Sequence, residues 1–411
     1  MSDNSRSRWG RRRPFLLSGA ITTAISFLAL SFVSNIIYTL VAMFGVYSAG
    51  GIKILLQSGT IICITLLNLS IQPLQSGLRS LIVDVCPRGQ QSTASAWAGR
   101  FTGIGNILGY VLGSVPLGSV SHDNEAWRFR FLSLISVAIL ISTVLITIFF
   151  IHEDEPREFV YEPREKLLLF RAVRDVKNSW LYMSSKSRHV CYVQFFSWMG
   201  WFGFLFYSTT YVGRLYITES RIRGVDNFEH LKDAGIRLGT FASLLSAITA
   251  FVTTLVVPHF ASTDSDVGWW RQTHKIWSIS HLLYMLCIFS TVFISSTERT
   301  IVVITLTGVS WGVTQWAPFA IMGKEIAMDQ AEKDFVIESS GRQLMANQNG
   351  AIMGIHNAVI SIPQILAALG SSLIFLIFKR IASGEDDGIA WVLRCSGVAA
   401  LVAAYLSWQL K

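Results

Sequence analysis

Long uncharged apolar runs recur along this chain and constrain its fold more than any other feature. A helix needs about 20 apolar residues to cross the hydrocarbon core of a bilayer. Only helices or closed barrels satisfy every backbone polar group inside lipid, and runs of this length are typical of helices. We therefore predict an all-α membrane protein. Its ten spans are predicted at residues 15–34, 55–78, 97–119, 131–151, 190–212, 238–258, 276–297, 300–322, 350–378 and 390–410.

The composition supports this class. Hydrophobic residues make up 51% of the 411 residues and charged residues only 15%, whereas soluble domains carry about 25% charged residues. The formal net charge of +8 comes mainly from loops between spans, which favours membrane anchoring over nucleic-acid binding. The sequence shows no CxxC pair, no GxxxxGK[ST] phosphate loop and no HExxH metal motif. We predict no enzyme activity, no cofactor and no metal.

A cluster of arginines sets the predicted orientation. Five arginines within residues 2–14 stand directly before the first apolar run. Positive residues beside a span favour the cytosolic side, and the loops that then lie inside carry the larger share of Lys and Arg. Ten spans return the chain to the side on which it began. Both termini are therefore predicted to be cytosolic.

One long polar stretch divides the spans. Residues 152–189 mix acidic and basic side chains with two prolines, which is typical of a solvated cytosolic linker. We predict an N-terminal bundle of four spans over residues 1–151 and a C-terminal bundle of six spans over residues 190–411. Secondary transporters are commonly built from repeated halves. Six plus six is the natural count, so the pattern predicts that two spans are missing at the N-terminal end.

Several motifs together resemble a known family. They are Arg8-Trp9-Gly10-Arg11-Arg12-Arg13-Pro14, Gly105-Asn106-Ile107-Leu108-Gly109-Tyr110, Trp198-Met199-Gly200-Trp201-Phe202, Thr314-Gln315-Trp316-Ala317-Pro318-Phe319 and Gly354-Ile355-His356-Asn357. This combination resembles the sucrose/proton symporter branch of the major facilitator superfamily, and its fungal α-glucoside permeases in particular. The resemblance implies that superfamily's fold, with about ten transmembrane helices present of an expected twelve. It also implies proton-coupled symport of a neutral disaccharide, such as sucrose or maltose, at the plasma membrane or alternatively the vacuolar membrane.

Two departures from the family leave other functions open. The family's first two helices are absent, which indicates either a truncated gene model or an inactive or regulatory paralogue. Asn68 stands where plant sucrose symporters carry an aspartate that takes the coupled proton. Because asparagine does not titrate, an uncoupled sugar facilitator is an alternative. A channel is disfavoured because the sequence has no filter-like repeat.

Polar residues within the spans are the candidate pathway residues. Asn68, Gln72 and Gln75 lie four and three residues apart, so they share one helix face. Such a stripe suits a neutral ligand rich in hydroxyl groups, or else bridges helices by hydrogen bonds. Arg100 is either a donor to the sugar or a side chain that snorkels to the interface. Asn106 lies on the same helix, and we include it in the pathway.

Aromatic residues form the second candidate group. Trp198, Trp201 and Trp311 fall near mid-span, and Gln315 lies one turn after Trp311. Sugar rings stack on aromatic faces while amides bond their hydroxyl groups. Further candidates for the pathway and for its gate fall elsewhere in the chain. We assign Asn357 to the pathway, His356 to proton coupling, and Asp3, Arg11, Arg12, Arg13, Arg79 and Asp84 to a cytosolic charge network that closes one conformation.

The predicted partners follow from these assignments. They are a small neutral sugar, protons and the lipid bilayer, and no nucleic acid is expected. For His356, a role in hydrogen-bonded packing is the alternative to a proton relay.

Overall fold

The computed structural model describes residues 9–10, 12–45, 48–114, 123–151, 153, 174, 176–181, 183–225, 227–264, 266–340, 349–381 and 388–410. Its main helices are α1 (Arg13–Ser31), α2 (Val33–Phe44), α3 (Ala49–Val85), α4 (Gln91–Ser114), α5 (Asp123–Phe150), α6 (Ser185–Ile222), α7 (Phe228–Phe260), α8 (Thr273–Ser290), α9 (Thr297–Ser340), α10 (Asn349–Ile381) and α11 (Ile389–Trp408). Within the described residues, the only β-type pairing is an isolated bridge between Ser262 and Gln272. The all-α prediction is confirmed.

Among the described residues, seven helical segments are long and apolar enough to cross a membrane. They are α1, α3, residues Phe129–Phe150 of α5, His230–Phe260 of α7, Thr297–Asp329 of α9, α10 and α11. The other three predicted spans coincide with α4, α6 and α8, which are helices of lower hydropathy. These three pack against other helices of the protein, which lets them carry more small and polar residues than a helix surrounded by lipid.

The apolar segment 35–52, which lies between the first two predicted spans, is largely helical. α2 follows α1 after a break at Phe32, whose φ of −108° and ψ of 13° leave the helical region. Gly45 then ends α2 in the left-handed conformation, at φ 68°, where a glycine carries no Cβ penalty. α3 begins at Ala49 and is therefore longer than the predicted span at 55–78.

The described helices pack as two compact units that do not follow chain order. The first unit comprises residues 1–85, 116–179 and 343–357, and the second comprises residues 86–115, 180–342 and 358–411. The start of α10 therefore belongs with the first unit, where it contacts α3, while α4 packs with α7 and α9. The division into bundles at 1–151 and 190–411 stays a prediction, and most of the predicted linker lies outside the described residues.

Each unit has its own core. In the first, Leu16 and Ala20 of α1 pack with Leu74 and Leu81 of α3 and Val144 of α5. Gly19 permits this approach, because a Cβ there would lie 3.1 Å from the backbone nitrogen of Leu74.

The second core is aromatic-rich and is built by α6, α7, α8, α9 and α11. Its largest buried members include Trp201, Tyr284 and Leu393. The tightest helix contacts again use small residues: a Cβ at Gly312 of α9 would lie 2.6 Å from the carbonyl oxygen of Ala250 in α7. Such contacts are typical of helices that associate in lipid, where close backbone packing replaces the hydrophobic driving force.

Candidate transport site and gate

Asn357 joins two helices of the first unit through its amide group. Its Oδ1 accepts a hydrogen bond from Nη1 of Arg79 at 2.7 Å, and its Nδ2 donates to Oε1 of Gln72. The asparagine side chain is buried, with 3% of its surface exposed. Gln72 and Arg79 are two helical turns apart, so α3 presents both to the start of α10. The structure thus brings together two predicted pathway residues and one predicted gating charge.

The rest of the predicted polar stripe on α3 behaves differently. Asn68 is exposed, and its Nδ2 donates to the carbonyl oxygen of Ile64 in its own helix, at 2.9 Å. Gln75, which lies between Gln72 and Arg79 in the sequence, is half-buried. The stripe therefore splits into a residue that bridges helices, Gln72, and a residue that bonds only within its helix, Asn68.

His356 precedes Asn357 on α10 and is fully buried. It interacts electrostatically with Arg79 of α3. An ionisable side chain enclosed within a membrane span is costly, and such residues commonly serve a functional role. His356 and Arg79 thus form a pair of ionisable groups beside the Gln72–Asn357 contact.

A buried ion pair joins the start of α1 to the end of α3 in the first unit. Nε of Arg12 lies 2.8 Å from Oδ2 of Asp84, and the two side chains are 0% and 9% exposed. Asn349, the first residue of α10, donates from Nδ2 to Oδ1 of Asp84 at 2.9 Å. Three elements, the start of α1, the end of α3 and the start of α10, therefore meet at one carboxylate.

The other predicted gating charges have separate positions. The guanidinium group of Arg13 donates to the carbonyl oxygen of Ile151, just past α5. Arg79 bonds to Asn357 and lies five residues before Asp84 along α3. Asp3 and Arg11 lie outside the described residues.

Glu153 is a member of this network that sequence reasoning missed. Its carboxylate accepts hydrogen bonds from the backbone nitrogens of Arg12, at 2.9 and 3.0 Å, and Arg13, at 3.0 Å. These donors begin α1, whose N-cap residue has no side-chain cap, and an anion at a helix N-terminus is stabilising. The available signal was its position as the first acidic residue after α5. Gly10, at φ 101°, leaves the space that Glu153 fills, since a Cβ would lie 2.8 Å from Oε1.

Three predicted tryptophans meet in the second unit. The ring of Trp311 in α9 lies 5.7 Å from the ring of Trp198 and 4.8 Å from that of Trp201, both in α6. Trp201 also contacts Tyr284 of α8 at 4.4 Å and is only 1% exposed. Trp198 and Trp311 are half-buried. The cluster therefore combines one core ring with two rings that keep some accessible surface.

The remaining predicted residues of the second unit lie on α4 and α9. The guanidinium group of Arg100 lies 4.6 Å over the ring of Trp97, and its Nε donates to the carbonyl oxygen of Thr254 in α7 at 3.3 Å. Gly99 of α4 faces α9: a Cβ there would lie in ordinary van der Waals contact with the carbonyl carbon of Gln315, at 3.8 Å. Asn106 is half-buried two turns further along α4.

The sequence profile of the Major Facilitator Superfamily matches residues 5–368 of this chain. The chain belongs to this superfamily. A superfamily of membrane transporters accounts for the apolar helices and confirms an integral membrane protein rather than an enzyme. The predicted fold is confirmed as well.

Comparison with individual proteins places this superfamily member near one branch. It is 27% identical to a general alpha-glucoside permease of Schizosaccharomyces pombe, over 98% of this chain and 82% of that protein. It is 25% identical to a sucrose transport protein of Oryza sativa subsp. japonica, over 96% and 78% of the two chains. The resemblance to the sucrose and α-glucoside branch is thereby confirmed.

Solved structures show the same fold at low sequence identity. One is the proton:xylose symporter XylE bound to 6-bromo-6-deoxy-D-glucose, with a TM-score of 0.61 and 11% identity. The similarity covers 98% of this chain and 81% of that one.

Proposed function

We propose that this superfamily member transports a neutral disaccharide, such as sucrose or maltose, by proton-coupled symport. The observation that carries the proposal is the similarity, over nearly the whole chain, to proteins named for α-glucosides and for sucrose. We also propose that both termini lie in the cytosol, because the arginine cluster precedes the first span. The similarity to the sucrose and α-glucoside branch supports the plasma membrane as the location of the chain.

The side-chain chemistry in both units supports a neutral hydroxyl-rich substrate. The first unit offers the amides of Asn68, Gln72, Gln75 and Asn357, which donate and accept hydrogen bonds without adding charge. The second unit offers the half-buried rings of Trp198 and Trp311, with Trp201 behind them, and the polar groups of Arg100, Asn106 and Gln315. Aromatic faces combined with a few polar groups are typical of small-molecule sites.

Proton coupling in this proposal passes through His356, because Asn68 does not titrate. A proton on His356 would place two positive charges close together, since Arg79 already interacts with this histidine. The repulsion would favour movement of Arg79 away from Asn357, to which it is bonded. Protonation would then change the contact between α3 and α10, which is the kind of two-state element that alternating access needs.

The transport proposal is tested by uptake of labelled sucrose and maltose at pH 5 and pH 7, in yeast lacking its own disaccharide carriers. We expect uptake that rises at pH 5 and falls when an uncoupler is added. Uptake insensitive to both would support an uncoupled facilitator. No uptake from a chain present at the cell surface would support the inactive or regulatory paralogue.

The role of His356 is tested by His356→Gln. We expect this variant to lose the stimulation by acid while it keeps uptake at pH 7, because glutamine retains hydrogen bonding but does not titrate. His281→Gln is the matched control, since His281 is equally buried but bonds to Ser197 at 2.8 Å in the second unit. Acid stimulation that survives in the His356 variant would remove this residue from the coupling mechanism.

The network around Asp84 is proposed to close one conformation of the transporter. It joins α1, α3 and α10 through a single carboxylate, so a movement of α10 would have to break it. Interfaces of this bistable type let a small local change switch a larger arrangement.

A further inference from the structure

The start of α6, the start of α8 and the end of α11 lie side by side in the second unit. Nε2 of His189, near the start of α6, lies 2.9 Å from the carbonyl oxygen of Leu406 near the end of α11. Nζ of Lys275, near the start of α8, donates to the carbonyl oxygen of Trp408 at 2.6 Å. Because α11 ends at Trp408, these contacts fix its C-terminus beside the beginnings of α6 and α8.

The loop before α8 is closed by its own backbone. The nitrogen of Ser262 donates to the carbonyl oxygen of Arg271 at 2.6 Å, and the nitrogen of Thr273 donates to that of Ser262 at 2.8 Å. Nε of Arg271 also donates to the carbonyl oxygen of Phe260 at 3.1 Å. This closure presents two adjacent indoles outward, since Trp269 and Trp270 are 59% and 58% exposed.

Two cations lie beside tryptophan rings in this region. The ammonium group of Lys275 lies 3.9 Å from the ring of Trp408, and the guanidinium group of Arg271 lies 5.8 Å from the ring of Trp270. The ring of Trp269 lies 6.4 Å from that of Trp408. Aromatic rings and cations are thus interleaved over the loop and the ends of α8 and α11.

Lys186 lies three residues before His189 on α6, so it lies on the same helix face and extends this cationic surface. Burial, together with the charges of Lys275 and Lys186, lowers the pKa of His274 to about 4. His274 is therefore neutral at physiological pH and adds no charge to this surface. In the part of the chain that the structure describes, neither Lys186, Arg271 nor Lys275 forms an ion pair.

The two carboxylates of the loop do not cancel the positive charge of this surface. Asp264 bonds to Lys324 of α9, so its charge is already matched. Asp266 is the other acidic residue of the loop. Against these stand the three cations Lys186, Arg271 and Lys275. We call the surface formed by Lys186, Trp269, Trp270, Arg271, Lys275 and Trp408 the basic-aromatic surface.

We propose that the basic-aromatic surface binds the headgroup of an anionic phospholipid. Tryptophan rings favour the headgroup level of a bilayer, and lysine and arginine attract the anionic lipids of the cytosolic leaflet. Exposed indoles would add nothing to the binding of a free inorganic anion. They would, however, pack against the glycerol and upper acyl region of a lipid, so the surface as a whole fits a lipid better. The inference uses the predicted orientation but does not depend on the transported substrate.

Lipid binding is tested by thermal unfolding of the purified full chain in detergent, with added phosphatidylinositol, phosphatidylserine or phosphatidylcholine. A ligand that binds the native state raises the unfolding temperature by mass action. We expect both anionic lipids, but not phosphatidylcholine, to raise it. Glycerophosphoinositol, which carries the headgroup without acyl chains, is expected to have no comparable effect.

Substitution of the cations then tests whether the lipid binds at the basic-aromatic surface. Each cation near an anionic membrane surface contributes about fivefold in affinity, so Lys186→Gln with Arg271→Gln is expected to weaken anionic-lipid binding about 30-fold. The matched control is Arg221→Gln with Arg223→Gln, which removes two charges at the other end of α6. If the loss of Arg271 disrupts the loop, Lys186→Gln alone decides, with an expected loss of about fivefold.

Three results would overturn the proposal. The first is an unchanged affinity for anionic lipid in the Lys186→Gln, Arg271→Gln variant. The second is an equal shift with phosphatidylcholine, which would show a general lipid effect. The third is an equal shift with glycerophosphoinositol, which would show a site for a soluble anion.

Discussion

Replacing Asp84 with alanine is expected to lower the free energy of unfolding by about 3–5 kcal/mol. The substitution removes the carboxylate that lies 2.8 Å from Nε of Arg12, whose side chain is fully buried. It also removes the acceptor of the hydrogen bond from Asn349. Removing one partner of a buried ion pair leaves the other charge poorly compensated, which costs more than the pair itself contributes. Thermal and denaturant unfolding of the purified chain measure the loss.

Asp264→Ala is the matched control for this prediction. It removes one carboxylate from an ion pair with Lys324, in which the Asp264 side chain is 66% exposed. Exposed pairs contribute about 0–1 kcal/mol, so a small loss is expected. If Asp84→Ala costs no more than Asp264→Ala, the buried network does not stabilise the described conformation.

Replacing Trp201 with alanine is expected to destabilise the second unit by about 3–5 kcal/mol. Its ring is buried and contacts those of Tyr284 at 4.4 Å, Trp311 at 4.8 Å and Phe204 at 5.6 Å. The truncation would leave a large cavity among residues that α6, α8 and α9 hold in place. Unfolding measurements and the amount of chain at the cell surface report the effect.

Trp198→Ala separates a structural role from a role in the pathway. Trp198 contacts Trp311 at 5.7 Å but is only half-buried, so its loss should destabilise the chain less than the loss of Trp201. If Trp198 contacts the sugar, its variant should reduce uptake while the chain remains folded and at the surface. Equal destabilisation by both substitutions would instead make Trp198 a core residue.

Residue spacing predicted the shared face of α3 but not the roles of its members. Asn68, Gln72 and Gln75 read as one stripe because side chains three and four residues apart lie together. Only Gln72 meets Asn357, while Asn68 bonds to its own helix. Periodicity identifies a face, but it does not say which neighbouring helix lies opposite each residue.

The network around Asp84 likewise has one part that the sequence predicted and one part that it did not. The arginines at the start of α1 and Asp84 at the end of α3 were predicted to interact, because both lie at the same predicted membrane face. Glu153 was not predicted, since its role depends on α5 returning beside α1 so that one carboxylate reaches the first backbone nitrogens of that helix. The position of Glu153 as the first acidic residue after α5 does not by itself say which helix start its carboxylate reaches.

The sequence by itself determined the helical class, the membrane environment and the superfamily. Apolar runs of bilayer length leave the backbone few alternatives to helices, and the motifs at residues 8–14 and 105–110 indicated the branch. The tertiary structure alone decided which predicted residues meet and which are enclosed. It distinguished the buried Trp201 from the half-buried Trp198, and it assembled the basic-aromatic surface from α6, α8 and α11. Such contacts join residues distant in sequence, so they follow from helix packing rather than from local pattern.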